Sequence, residues 1–270
     1  MPRFAANLST LFTEVAFLDR FAAAARAGFD AVEFQFPYEF GADEVAASLS
    51  ANGLTLALFN LSPGRFAEGE RGIAALPGRE EEFAATVRQA LPYARATGCK
   101  RLHALSGLKA PGADPDLMRD TLVVNLRGAA RALAADGVTL LIEPINTRDM
   151  PGYFLNLPQQ AIEVIEAVGE PNLALQLDLY HCQIMQGDLA RTIDRHIGRV
   201  GHVQIAGVPG RHEPDSGEVN FEFLMRRLDE LGYSGFVGCE YGPRGRTEDG
   251  LGWLDAWSGR RQRSPTAPSR

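Results

Sequence analysis

Four oxygen-bearing side chains mark the ends of four successive apolar stretches in the second half of the chain. Glu143 follows the climb of VTLLIEPIN, Asp178 lies near the end of Asn172–Leu179, Gln204 sits within Gly201–Ala206, and Glu240 sits near the end of Gly235–Tyr241. Any one of them alone could cap the next helix or face solvent. Together they predict a single site, because buried like charges repel unless a cation or protons compensate. Three carboxylates and an amide are all oxygen donors. They favour a hard or intermediate divalent metal ion, Mg2+ first and Mn2+ as the alternative, over zinc.

Further candidates lie near these ends. His181 stands three residues after Asp178, and Arg211 and His212 follow the Gln204 stretch in VPGRHEP. A rim arginine can clamp a substrate carboxylate, although a solvated loop charge is the plainer reading. Arg65, in the long Asn60–Pro77 connection, is a weaker candidate of the same kind. Gln176 and His202 precede Asp178 and Gln204 by two residues, so they share a strand face with them and are placed to orient them. His103 and His196 read as structural or surface residues, and Cys182 and Cys239 as packing.

The elements that must position these residues follow a simple alternation. VTLLIEPIN is a short apolar run stopped by Pro144, which reads as a buried parallel strand. Similar strands are expected at Arg3–Leu8, Asp30–Phe36, Leu54–Phe59 and Lys100–Leu105, as well as at the three later site stretches. Helices are expected between them. One is VAFLDRFAAAARAG, with Ser9-Thr10 and Thr13-Glu14 offering helix-start chemistry before it. Others cover 42–50, 79–97, 116–135, 158–168, 188–197 and 221–231, with a last one at 249–257.

Eight strands alternating with helices imply a parallel sheet. That number favours a closed (β/α)8 TIM barrel over an open sheet, and no glycine-rich dinucleotide fingerprint follows the first strand. In such barrels the chemistry sits at the C-terminal strand ends. One barrel domain is expected over 1–257, with a polar, basic, proline-containing tail at 258–270 expected to be disordered.

Composition excludes several classes. A net charge of −7 over 270 residues argues against a phosphate-backbone partner. Three cysteines without finger spacing suit a reducing compartment and no disulfide framework. The first residues lack a secretory h-region and no stretch suits a membrane span, so a cytoplasmic protein is expected.

Taken with their flanks, IEPIN, QLDLYHCQ, HVQIAGVPGRHEP and GFVGCEY resemble the hydroxypyruvate isomerase family, and the likeness extends from ANLSTLF to GLGWL. That family lies among the xylose-isomerase-like barrels, together with sugar 3-epimerases and apurinic-site endonucleases. The resemblance implies a Mg2+-dependent isomerase with Glu143, Asp178, Gln204 and Glu240 as metal ligands and Glu143 and Glu240 as the acid/base pair. The implied reaction exchanges hydroxypyruvate with 2-hydroxy-3-oxopropanoate through an enediolate, in glyoxylate metabolism. His181, Arg211, His212 and Arg65 would be the substrate-binding residues. Moving a carbonyl along a hydroxy ketone needs a base beside each carbon, which two glutamates could supply.

The competing readings are a 2-oxo-tetronate isomerase or a ketose 3-epimerase on the same metal site. Relatives of the epimerase kind carry histidine where this chain has Gln204. A zinc nuclease fits poorly with five histidines and an acidic chain, and retention of both glutamates speaks against a silent binding barrel. The expected partner is a small hydroxy-keto acid, with a homo-oligomer as an option and no nucleic acid or membrane.

Overall fold

The computed structural model describes residues 2–257, and the expected tail at 258–270 lies outside the described residues. Strands β1 (Arg3–Asn7), β2 (Ala31–Phe34), β3 (Thr55–Asn60) and β4 (Arg101–His103) pair in chain order. Strands β5 (Thr139–Ile142), β6 (Leu173–Asp178), β7 (Val200–Ile205) and β8 (Phe236–Cys239) continue the series. β8 returns to β1 in parallel, with Phe4 opposite Val237 and Ala6 opposite Cys239. The expected closed (β/α)8 barrel is therefore the fold, and closure leaves the sheet no free edge.

Most strands are shorter than the apolar runs that predict them; β3 and β7 keep the length and shift by one residue. Asp30–Phe36 yields only Ala31–Phe34, because beyond Phe34 the Gln35 N–H donates to Ser9 Oγ at 2.8 Å rather than to a neighbouring strand. β5 stops at Ile142 and β8 at Cys239, so Glu143 and Glu240 are each the first residue past a strand.

The crossovers are α1 (Phe17–Arg26), α2 (Ala42–Ala51), α3 (Glu80–Thr97), α4 (Pro115–Ala134) and α5 (Pro158–Val168), followed by α6 (Leu179–Met185), α7 (Leu189–His196), α8 (Phe221–Glu230) and α9 (Gly252–Trp257). Two departures from expectation have physical reasons. The helix-start chemistry before α1 is spent elsewhere: Ala16 is its uncapped N-cap, Ser9 receives Gln35, and Glu14 accepts from the Thr247 backbone and hydroxyl. Although a helix start is one reading of His181, α6 is not among the expected helices. It starts directly at the strand end because Asp178 caps it, with Oδ1 accepting from Tyr180 N at 2.7 Å and His181 N at 3.2 Å.

Two separate apolar clusters divide the core. The large one packs outward-facing strand residues such as Val32, Leu140, Leu175 and Val237 against the helices. The small one, Ala5, Ala31, Ala57 and Phe236, comes from β1, β2, β3 and β8. Side chains two residues apart share a face. The layers above this small cluster are therefore Asn7, Glu33 and Gly238, then Gln35 and Glu240. Polar groups thus fill the barrel interior toward its C-terminal mouth.

Candidate active site

A cavity of about 160 Å³ opens at that mouth. Glu143, His181, Gln204, Arg211 and Glu240 line it from the β5–β8 side. Asn7, Glu33, Asn60, Arg71 and His103 line it from the β1–β4 side. Asp178 lies just beneath, 2% exposed.

Asp178 does two things. Its Oδ1 caps α6, while its Oδ2 is buried without a hydrogen-bond partner among the described residues. Glu143 Oε1 is orphaned in the same way. Ligand atoms of Glu143, Asp178 and His181 all lie within 4.8 Å of one another, a spacing that could hold a metal ion. Two buried, unsatisfied carboxylate oxygens facing each other are costly unless a cation or protons intervene. The residues present therefore fit a divalent ion.

His181 belongs to this cluster in space, but its hydrogen bonds give it another task. Asn146 Oδ1 accepts from the backbones of Arg148 (3.0 Å) and Asp149 (2.8 Å), which fixes the amide and turns its Nδ2 to His181 Nδ1 at 2.6 Å. Nδ1 is then the acceptor, and the proton of the neutral ring sits on Nε2. Nε2 stands 3.7 Å from Asp178 Oδ2 and 3.9 Å from Glu143 Oε1. A protonated nitrogen donates to an oxygen and does not ligate a metal. Burial supports the neutral ring, pulling its pKa down to about 4 against the attraction of Asp178.

Burial pushes the Glu143 carboxyl well above the carboxylate range, and the charges of Asp178 and Glu240 add to the shift. Burial likewise lifts Glu240 to about 7. Arg211 opposes this, and Asp178 and Glu33 reinforce it. Arg211 Nη2 lies 3.5 Å from Glu240 Oε1 and 3.9 Å from Asp178 Oδ2, with the guanidinium over the Tyr180 ring. One arginine stands against several buried acids.

A buried hydrogen-bond network supports Glu240 from below. Gln204 Nε2 donates to Glu240 Oε2 at 2.9 Å and to Glu33 Oε1 at 2.7 Å, and Gln204 Oε1 accepts from Gln176 Nε2 at 2.6 Å. Glu33, 0% exposed, also receives Asn7 Nδ2 at 3.0 Å and meets His202 Nε2 at 2.6 Å. Room for Glu33 exists because residue 238 has no side chain. A Cβ there would lie 2.2 Å from Glu33 Oε2.

The family described as xylose isomerase-like TIM barrels matches residues 21–257. A 2-oxo-tetronate isomerase of Cupriavidus necator is 58% identical over 96% of this chain and 100% of its own length. The hydroxypyruvate isomerase of Escherichia coli is 47% identical over 95% of this chain and 100% of its own. A crystal structure from Brucella melitensis, described as an AP endonuclease of family 2, superposes with a TM-score of 0.94 at 54% identity, covering 95% of this chain and 99% of that one. The chain belongs to the xylose isomerase-like TIM-barrel family. It is an isomerase of that family, as its relatives at 44–58% identity are named.

In this family member the mouth gathers Glu143, Asp178, His181, Gln204, Arg211 and Glu240. It does not gather Arg65 or His212. Arg65 points away, with its side chain 62% exposed and paired with Glu70 at 2.8 Å and Glu68 at 3.4 Å. His212 Nδ1 faces the Gly242 carbonyl at 2.7 Å, outside the cavity lining. Gln204 is in place, with its oxygen turned to Gln176.

Several cavity residues were not singled out from the sequence. Glu33 and Gln35 lie within the alternating Asp30–Phe36 run, not at a strand tip closed by a breaker like Glu143. In a barrel whose strands are buried on both faces, the polar face must point inward. Gln35 Nε2 in fact donates to Glu240 Oε1 at 3.0 Å. His103, read as structural or surface, is a cavity residue 1% exposed. Both its ring nitrogens lack partners, and its Nε2 is 3.7 Å from Glu143 Oε2. Burial holds it neutral, with a pKa near 3. Among the described residues no helix is long and apolar enough to cross a membrane.

Proposed function

We propose that this isomerase acts on short 2-oxo acids bearing a hydroxyl on carbon 3, moving the carbonyl from carbon 2 to carbon 3. Glu143 and Glu240 are the acid/base pair. One takes the proton from carbon 3, the other delivers a proton to carbon 2, and the hydroxyl proton passes from the carbon-3 oxygen to the carbon-2 oxygen. The observation that carries this reading is the two carboxyls beside one small cavity, both lifted by burial above the carboxylate range, Glu240 to about 7. Proton transfer is fastest when a group's pKa lies near the working pH.

Glu143, Asp178 and Glu240 would hold a divalent ion, Mg2+ or Mn2+, with Gln204 as the fourth donor once its oxygen leaves Gln176. Bound there, the ion would stabilise negative charge developing on the substrate oxygens. His181 Nε2–H would donate to a substrate oxygen, held in that tautomer by Asn146. Arg211 would keep Glu240 and Asp178 compatible with each other as protons move.

Hydroxypyruvate is one substrate of this class, giving 2-hydroxy-3-oxopropanoate. The four-carbon 2-oxo-tetronate is the second, favoured by the name of the relative at 58% identity. Proton NMR in D2O with both acids separates the two, since turnover brings solvent deuterium onto carbon. The decisive assay uses chelator-stripped protein with Mg2+, Mn2+ and Co2+ added back separately. Activity on neither acid with any ion would end the proposal.

A further inference from the structure

We infer that Arg71, on the wall opposite the two glutamates, is the receptor for the substrate carboxylate. The inference rests on the proposed reading for the identity of the anion. A 2-oxo acid carries a permanent negative charge. It must enter a cavity whose β5–β8 wall already holds Glu143, Asp178 and Glu240. On the proposed reading that wall handles the carbon-2 and carbon-3 oxygens and their protons, so the carboxylate at the other end of the molecule needs a cation elsewhere in the lining. Arg211 is poorly suited to the task, because its guanidinium is already shared between Glu240 and Asp178 at 3.5 and 3.9 Å.

Arg71 differs from the other arginines around the β3–α3 connection. Arg65 pairs with Glu68 and Glu70, and Arg79 with Glu70 and Glu82. Glu70, adjacent to Arg71 in sequence, is thereby consumed. Arg79 first and Arg65 second hold its carboxyl down at about 2. Arg71 has no carboxylate within ion-pair distance among the described residues, yet it lines the cavity. Its Nη1 is spent on two backbone carbonyls, Phe66 at 3.1 Å and Glu70 at 2.8 Å. Its guanidinium carbon lies 4.1 Å from the centroid of the Phe66 ring. One edge and one face are thus fixed, while Nε and Nη2 find no protein acceptor among the described residues. A planar fork held this way matches a carboxylate.

The backbone explains why Arg71 is held in the wall. Gly72 bridges to Ser106 just past β4, and Ala74 N and Ala75 N donate to the carbonyls of Leu105 and Ser106. Gly72 has φ +102°, and a Cβ there would lie 2.3 Å from the Leu105 carbonyl oxygen. Only glycine allows so close an approach, and it seats the preceding residue against the tip of β4 near His103.

The test uses the full chain and two non-reacting probes, glycerate and its uncharged amide, glyceramide, with affinities read by calorimetry. Wild type should prefer glycerate. Arg71→Gln should lower glycerate affinity roughly 10- to 100-fold and leave glyceramide unchanged, as loss of a charge-assisted pair predicts. Arg71→Lys should recover part of the preference, and Arg88→Gln on the surface should change neither. Three results overturn the inference: unchanged glycerate affinity in Arg71→Gln, equal loss of both probes, or a wild type without preference for the acid. Turnover is measured apart from binding. An Arg71-dependent preference without isomerisation of either acid leaves the carboxylate receptor standing and removes the proposed reaction on 2-oxo acids.

Discussion

Two groups of acidic side chains lie close in the fold and behave in opposite ways. On the β3–α3 connection and the first turn of α3, Glu68, Glu70 and Glu82 each meet an arginine, and two of the members, Arg65 and Glu68, are about two-thirds exposed. In the barrel mouth, Glu33, Glu143, Asp178 and Glu240 are all buried, and Arg211 is the cation beside them. Among the outer carboxyls the arginines pull Glu70 down to about 2 and lower Glu82 as well. In the mouth burial pushes Glu143 and Glu240 up, Glu240 to about 7. A satisfied ion pair on the surface has little left to do. Buried carboxyls kept short of counter-charge are tense, and that tension suits them to bind a cation and trade protons.

The largest expected effect tests the functional half of this contrast. Glu143→Gln and Glu240→Gln should each lower kcat by about 10²- to 10⁴-fold, the usual worth of a positioned acid or base. Wild-type-like rates in both would remove the assignment. Metal addition comes next. Mg2+ at 100 times its Kd should stabilise stripped wild type by about 2.7 kcal/mol, read as a rise in Tm. In Glu143→Gln and Asp178→Asn the rise should shrink or vanish. An unchanged Tm in wild type would show that the inner group is balanced by protons alone.

The pH dependence of stability should carry opposite signs for the two groups. Glu240 is raised from 4.5 to about 7, so the native state keeps a proton that the unfolded chain releases. That contribution is fully present below about 4.5 and is lost as pH rises through 7. Glu70 is lowered from 4.5 to about 2, so its contribution is present above 4.5 and is lost as pH falls through 2. Urea midpoints of chelator-treated protein should show Glu240→Gln flattening only the upper limb and Glu70→Gln only the lower. If both variants flatten the same limb, the contrast is wrong. The smallest effect belongs to Glu82→Gln. It should cost no more than about 1 kcal/mol of stability, as exposed pairs do, and leave kcat within about twofold in a steady-state assay.

The fold was legible because each strand is a short apolar run closed by a proline or a polar tip, as at Glu143-Pro144, and because the alternation continued through eight units. Strand ends were less so, since a run such as Asp30–Phe36 does not reveal that the Gln35 N–H will go to Ser9 while only its carbonyl stays paired with β3. α6 stayed hidden because capping and site membership were weighed for Asp178 as alternatives, whereas one oxygen starts a helix and the other faces the cluster. The β5–β8 side of the candidate site could be anticipated from side-chain type and position at strand ends. The opposite wall could not. Arg71 owes its place to a glycine contact with β4, and Arg65, six residues earlier and chemically identical, is turned outward by Glu68 and Glu70. Nothing local to either arginine distinguishes them.

The bare position at Gly238 has a consequence for anyone transplanting this mouth onto another barrel. Grafting the rim residues alone would leave the floor blocked, because Glu33 can stand only where the strand beside the first one lacks a side chain. The acid on the second strand and the gap on the eighth form one transferable part, and a donor sequence must hand over both.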